Sequence, residues 1–167
     1  ILSTEKPMST LTGKLKFNDG YIAGQVLQFW PLTYPKIEAG EVISGGISEA
    51  TTDNDGNFSI ELANAVYRVE WWYRGIRNRG MFALTETADL GSILVSEITE
   101  TVPYYFDTVD EFEASTTGAT MVGIGADGNG DPAIFRKDLT GTVDDGVNGI
   151  VRDDGVAYVR FSGNPIA

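Results

Sequence analysis

The chain has no cysteine and no histidine among its 167 residues. Ser–His–Asp and Cys–His nucleophiles therefore cannot be built, zinc fingers lose their ligands, and disulfides are excluded. Basic residues are scarce as well. Twelve Lys and Arg stand against 24 Asp and Glu, a net charge of −12, which argues against nucleic acid or an anionic membrane surface as a partner. No run of eighteen apolar residues is present to span a bilayer as a helix, and no charged segment followed by an apolar one marks a signal peptide. No repeat of 20 to 50 residues points to a solenoid. Met8-Ser9-Thr10 reads as an expected start, with residues 1–7 ahead of it a processed remnant or added residues. No cofactor is expected.

What is present favours strands joined by tight turns. Hydrophobic residues make up 42% of the chain, enough for an ordered core, and there are 20 glycines. The organising stretch is 51–73. Asp55-Gly56 predicts a hairpin turn, since Gly takes positive φ without a Cβ clash. After it, Phe58, Ile60 and Leu62 alternate with Asn57, Ser59 and Glu61, the period of a half-buried strand. In the next strand Tyr67, Val69, Trp71 and Tyr73 share one face, while Arg68, Glu70, Trp72 and Arg74 take the other.

This block resembles the transthyretin-like, carboxypeptidase-regulatory-like β-sandwich modules. They carry Thr-Asp-x-x-Gly-x-Phe-x-(Ile/Leu)-x-Leu before a Tyr-x-Val strand, matched here by Thr52, Asp53, Gly56, Phe58, Ile60, Leu62, Tyr67 and Val69. The resemblance implies a sandwich over residues 10–96 with a scaffold or binding role rather than a reaction.

Elsewhere in that part, residues 1–9 read as a loose arm and 11–17 as a strand ended by Asn18-Asp19-Gly20. Residues 22–30 read as a central strand, with Val26 and Trp30 on one face and Leu27 and Phe29 on the other. Residues 33–40 read as a loop and 41–50 as a strand interrupted at Gly45-Gly46. Residues 74–80 read as a second loop, 81–84 as a strand and 91–95 as a last short one. Residues 97–103, acidic and closed by Pro103, read as a domain boundary crossed by few contacts.

Beyond it, residues 107–114 form the one good helix candidate. Thr108 with Glu111 fits a capping box, Val109 and Phe112 share an apolar face, and Gly118 is expected to end the helix. Short strands are predicted over 120–124, 133–136, 147–151 and 156–161, separated by Asp- and Gly-rich turns. This segment resembles the N-terminal parts of bacteriophage tail spikes and tail fibres. The matching pieces are Tyr105, Asp107-Thr108-Val109, Asp127 to Asp131, Phe135-Arg136, Asp144-Asp145-Gly146 and Tyr158 to Arg160. The expectation is an all-β protein: a transthyretin-like sandwich over 10–96, then a small, mostly-β module over 104–163 with one short helix. The resemblance implies a structural component of a phage tail, located in the virion. It would contact other tail proteins and itself, as a trimer or ring.

Paired carboxylates are the catalytic chemistry left to the chain: Asp53 with Asp55, Asp127 with Asp131, Asp144-Asp145 and Asp153-Asp154. All lie beside Gly, where Asp serves turns by bonding its own backbone. No enzyme is expected. Asp127-x-Asn129-x-Asp131 has the spacing of the first three ligands of a calcium loop, but Pro132 replaces the required Gly and Asp138 the twelfth-position Glu. Near the organising turn, Thr51 stands where the first Asp of such a loop belongs. No metal site is assigned.

The remaining candidate surface is aromatic and basic. Arg68, Trp72, Arg74, Arg77 and Arg79 place four of the twelve basic residues within a dozen positions. Trp and Arg are enriched at interface hot spots, and aromatic rings stack on sugars. These residues are the expected partner-binding site. The alternative is a carbohydrate-binding accessory module that meets host-surface glycan through Trp72, Tyr73 and Arg74.

Overall fold

The computed structural model describes residues 7–18, 20–32, 36–38, 40–43, 46–96 and 102–161. The protein is all-β, with two one-turn helices among the described residues. Strand β1 (Met8–Lys14) is followed by two short hairpins. One is β2 (Lys16–Phe17) with β3 (Gly20–Tyr21); the other, after β4 (Val26–Pro31), is β5 (Lys36–Glu38) with β6 (Glu41–Ile43). Then come β7 (Ser48–Thr51), β8 (Asn57–Ala63), β9 (Ala65–Tyr73), β10 (Ile76–Leu84), β11 (Ala88–Asp89) and the helix α1 (Leu90–Ile93).

Two sheets carry this first module. One has the order β11-β1-β8, the other β10-β9-β4-β7. Their facing sides form one core from Leu11, Leu27, Phe29, Phe58, Tyr67, Val69 and Phe82. Period-two alternation selects that core: the odd-numbered residues of β9 point inward, as expected, and β4 is central, between β9 and β7.

The organising turn forms, but the strands it joins do not pair with each other. β7 pairs with β4 and β8 with β1, so Asp53 to Gly56 carries the chain from one sheet to the other. The Asp53 carboxylate accepts the Asp55 and Asn57 N–H groups, and Gly56 sits at φ 80°. A Cβ on Gly56 would meet the Leu15 carbonyl oxygen at 2.5 Å. Thr52 is buried beside the turn, donating to the Ile22 carbonyl and accepting from the Gln25 N–H.

Several sequence expectations shift. Met8 and Ser9 belong to a strand, paired with Ala63 and Leu62, and the Pro7 carbonyl accepts the Asn64 N–H; residues 1–6 of the expected arm lie outside the described residues. The expected loop over 33–40 contains β5. The loop over 74–80 contracts to Arg74-Gly75, because Ile76 to Gly80 continue the pairing with β9. Residues 90–93 form a helical turn instead of a strand. The Asp89 side chain caps it by accepting the Gly91 N–H, and Val95 keeps a single bridge to Met81. Gly45 of the expected bulge and residues 97–101 of the expected boundary lie outside the described residues.

The second module is one sheet of order β12-β13-β14-β16-β15, built from β12 (Tyr105–Thr108), the helix α2 (Val109–Glu113), β13 (Met121–Ala126), β14 (Ala133–Lys137), β15 (Gly149–Val151) and β16 (Ala157–Arg160). β12 runs parallel to β13, an element absent from the sequence reading. The α2 cap is as expected, with Thr108 accepting the Glu111 N–H at 3.2 Å, but the helix ends well before Gly118. Phe112 of α2 packs with Val122, Ile124, Phe135 and Tyr158 on one face of the sheet. Arg152 lies buried there with its guanidinium on the Phe112 and Tyr158 rings, bonded to Asp154 and the Thr117 carbonyl.

The opposite face of that sheet meets the first module. Met121 and Ile134 join Val66, Met81 and Val95 in a third apolar cluster, lined further by Leu32, Ala83, Tyr105 and Phe161. A packed apolar cluster therefore spans the expected boundary. Each module has its own core, and a shared one joins them. Strand alternation explains it: successive residues of β13 and β14 point to opposite faces, and both faces are apolar.

Candidate functional site

The four-stranded sheet of the first module has an outer face made of alternate residues. Register places Ala83 beside Val66, Met81 beside Arg68 and Trp30, Arg79 beside Glu70 and Gln28, and Arg77 beside Trp72. The row at Val66, with Met81, is covered by the second module. The rows beyond it are open and contain the candidate residues.

At the centre sits Glu70, with a side chain only 8% exposed. It accepts a hydrogen bond from Arg77 and lies 3.8 Å from the Arg68 Nε. Arg68 stacks on the Trp30 ring at 4.9 Å, and its buried Nε makes no hydrogen bond. Arg79 is the cross-strand neighbour of Glu70. A buried carboxylate needs such cationic neighbours, since removing a charge from water without a partner is costly. Arg68 and Arg77 thus hold the face together as well as present charge. Gln28 continues the row, donating to Glu49 at 3.1 Å. Trp72, 58% exposed, stands at the open end. The same register carried two residues on sets the exposed Val26 beside it.

Arg74 is not on this face. It occupies the first position of the two-residue turn between β9 and β10, at φ 51°, with Gly75 at φ 77°. Two successive positive φ values match a tight primed hairpin turn, a site that favours Asn or Gly; a side chain such as Arg there costs about 1 kcal/mol. Its guanidinium turns to the core side, 5.0 Å from the Phe17 ring and 5.2 Å from the Tyr73 ring. Tyr73 also faces that side, 5.1 Å from Phe17. The structure therefore brings together Arg68, Trp72, Arg77 and Arg79 and separates Arg74 from them. A Trp72-Tyr73-Arg74 platform does not form, because adjacent strand residues point in opposite directions.

A second aromatic–cationic surface, missed by the sequence reading, runs from Tyr21 through Lys16 and Phe17 to Arg74. Lys14 lies 4.1 Å and Lys16 6.0 Å from the Tyr21 ring, and Phe17, Tyr21 and Ile76 are exposed. Its members come from β1, from the β2–β3 hairpin and from the β9–β10 turn, so no contiguous stretch displays it.

The paired carboxylates serve turns. Asp127 accepts the Asn129 and Asp131 N–H groups with one oxygen and pairs with Arg160 at 2.9 Å with the other. Both of its oxygens are engaged by the fold. Asp145 accepts from Val147 and Asn148, and these hydrogen bonds hold its carboxyl down at about 2. Asp154 is held low by its bond to Arg152. No group of three or more metal-ligating side chains gathers among the described residues. Burial pushes the Glu113 carboxyl up, and the neighbouring Asp144, Asp110 and Asp153 add to the shift.

No protein-family model and no curated protein matches the chain. Two solved structures are similar in part. A DUF3823 family protein from Parabacteroides merdae aligns over 57% of this chain at 15% identity, with a TM-score of 0.38, and the match spans about half, 49%, of that protein's length. A DUF3823 family protein from Bacteroides ovatus aligns over 96% of this chain and 76% of its own, at 13% identity and a TM-score of 0.35. Likeness at this level carries no assignment of function.

Proposed function

We propose that this chain is a structural segment of a phage tail, a fibre, spike or adaptor piece, that works through protein–protein contacts in the virion and in more than one copy. The resemblance of residues 104–161 to tail-spike and tail-fibre segments supports the reading. The observation that carries the contact surface is Trp72: a large, exposed aromatic beside an organised ladder of Arg77, Glu70 and Arg68. A pre-ordered charged row around an exposed aromatic anchor suits a protein interface, because its side chains lose little further freedom on docking. Host-surface glycan binding is the competing reading. The separation of Trp72 from Tyr73 and Arg74 removes the three-residue platform that this reading expects.

Immuno-electron microscopy of virions, with antibody against this chain, tests the location. Label on the tail is expected, and absence of the chain from purified virions overturns the reading. Particles carrying Trp72→Ala are expected to retain less of the chain. Binding of the isolated protein to a host glycan array, abolished by the same substitution, would favour the alternative.

A further inference from the structure

The surface around Arg74 lies at the β9–β10 turn, at the far end of these strands from the rows that hold the second module. Seven residues separate Tyr73 from Val66, about 23 Å of strand. Lys14, Lys16 and Arg74 each lie over an aromatic ring there, and none pairs with a carboxylate among the described residues. Exposure of Phe17, Tyr21 and Ile76, at 39%, 51% and 64%, adds apolar area beside these cations. A notch of about 120 Å³ opens among Phe17, Tyr73 and Ile76. Arg74, at one end of this surface beside Phe17 and Tyr73, is held in a left-handed conformation. Strain of that kind is a reason to look for a role.

The rest of the chain is its electrostatic complement. Residues 102–161 carry eleven Asp and Glu against four Lys and Arg. Asp110, Glu113, Asp144 and Asp153 converge around α2. The Glu113 carbonyl accepts the Asp153 N–H at 3.0 Å, and Asp144 accepts the Val151 N–H at 3.0 Å. Helix α2 packs on the face of the five-stranded sheet opposite the one that meets the first module. Its carboxylates therefore point away from that module, and a molecule does not cover its own Lys14–Arg74 surface with them.

We propose that the Lys14–Lys16–Arg74 surface of one copy docks on the carboxylate-rich α2 side of a second copy of this chain, with Phe17 and Ile76 as its apolar contacts. The two patches differ, so the contact is head-to-tail: it closes into a ring if the rotation allows and otherwise extends as a filament. This rests on the many-copy part of the tail reading, and it adds a contact surface distinct from the Trp72 face.

Light scattering and sedimentation of the full chain test it. Association is expected at about 0.05 M salt and is expected to weaken at about 0.5 M, where charges are screened within about 4 Å. Lys14→Glu with Lys16→Glu, both exposed strand positions, should weaken self-association at least tenfold without lowering the melting temperature. Arg74→Glu should do the same. Asp110→Lys with Asp153→Lys should weaken it equally. Mixing the Lys14→Glu/Lys16→Glu protein with the Asp110→Lys/Asp153→Lys protein should restore mixed assemblies, since reversed patches meet. Association that survives both sets of reversals but is lost with Trp72→Ala overturns this contact and leaves the many-copy reading standing. A chain that stays monomeric at low salt overturns both.

Discussion

Gly123 of β13 lies so close to Val66 of β9 that a Cβ on the glycine would stand 2.8 Å from the valine Cγ1. This contact joins the two modules, and the Met81 sulfur closes it at 3.1 Å. Gly123→Val should therefore overpack the shared cluster and lower stability by about 1–3 kcal/mol. Thermal unfolding measures the loss. Limited proteolysis should show faster cleavage between residues 97 and 103 in the variant, because the packing that joins the modules is weakened. An unchanged melting temperature would mean that the modules do not pack in solution as described.

Gly56 is another position where a side chain does not fit. Its φ of 80° and its approach to the Leu15 carbonyl act together. Gly56→Val should destabilise by about 1–3 kcal/mol from backbone strain, with the collision adding to it. Chemical denaturation reads the change. A loss under about 0.5 kcal/mol would show that the sheet-to-sheet turn tolerates another conformation.

The open sheet face separates two kinds of residue. Trp72→Ala should change stability by no more than about 0.5 kcal/mol, because the ring is mostly exposed. Arg77→Ala removes a bond to the buried Glu70 and should cost about 1–2 kcal/mol. Arg77→Ala combined with Glu70→Gln should recover part of that cost, since a neutral amide needs less compensation than a carboxylate. Equal costs for Trp72→Ala and Arg77→Ala would contradict this division.

Acid should weaken the fold through its turn aspartates. Asp145 falls from an ordinary 3.8 to about 2 on folding, driven by the Val147 and Asn148 N–H groups. Its contribution is complete above the unfolded value and is lost as pH falls from about 3.8 to about 2. Asp138 and Asp154 shift in the same direction. Asp145→Asn should flatten the pH dependence of stability in that window. An unaltered slope would show that Asp145 keeps no such bonds in solution.

Glu113 behaves in the opposite sense. Its carboxyl is raised, so ionising it costs stability as pH climbs through its unfolded and then its folded value. Glu113→Gln should stabilise by a few tenths of a kcal/mol at pH 7, a small effect because solvent screens the site. The gain should vanish below about pH 4, where both forms are neutral. A gain that persists in acid would assign the effect to packing instead of charge.

The sequence by itself determined which residues are inside. Period-two alternation sorted Tyr67, Val69 and Phe58 into the sandwich core, and the Thr108–Glu111 spacing marked the start of α2. These are local signals, carried by side-chain direction along one strand or one helical turn. Partnership between strands was not local. Asp55-Gly56 specifies a turn equally well whether the flanking strands pair or part, and the two-sheet core decided that β7 and β8 part. The arginines between 68 and 79 read as one cluster because they are close in sequence. Strand geometry divided them, sending Arg77 to Glu70 on the outer face and Arg74 through a left-handed turn to Phe17, 57 positions earlier in the chain. Likewise the apolar residues on both faces of β13 are legible in its sequence. Only tertiary packing assigned one face to α2 and the other to the neighbouring module, because burying both requires a partner on each side.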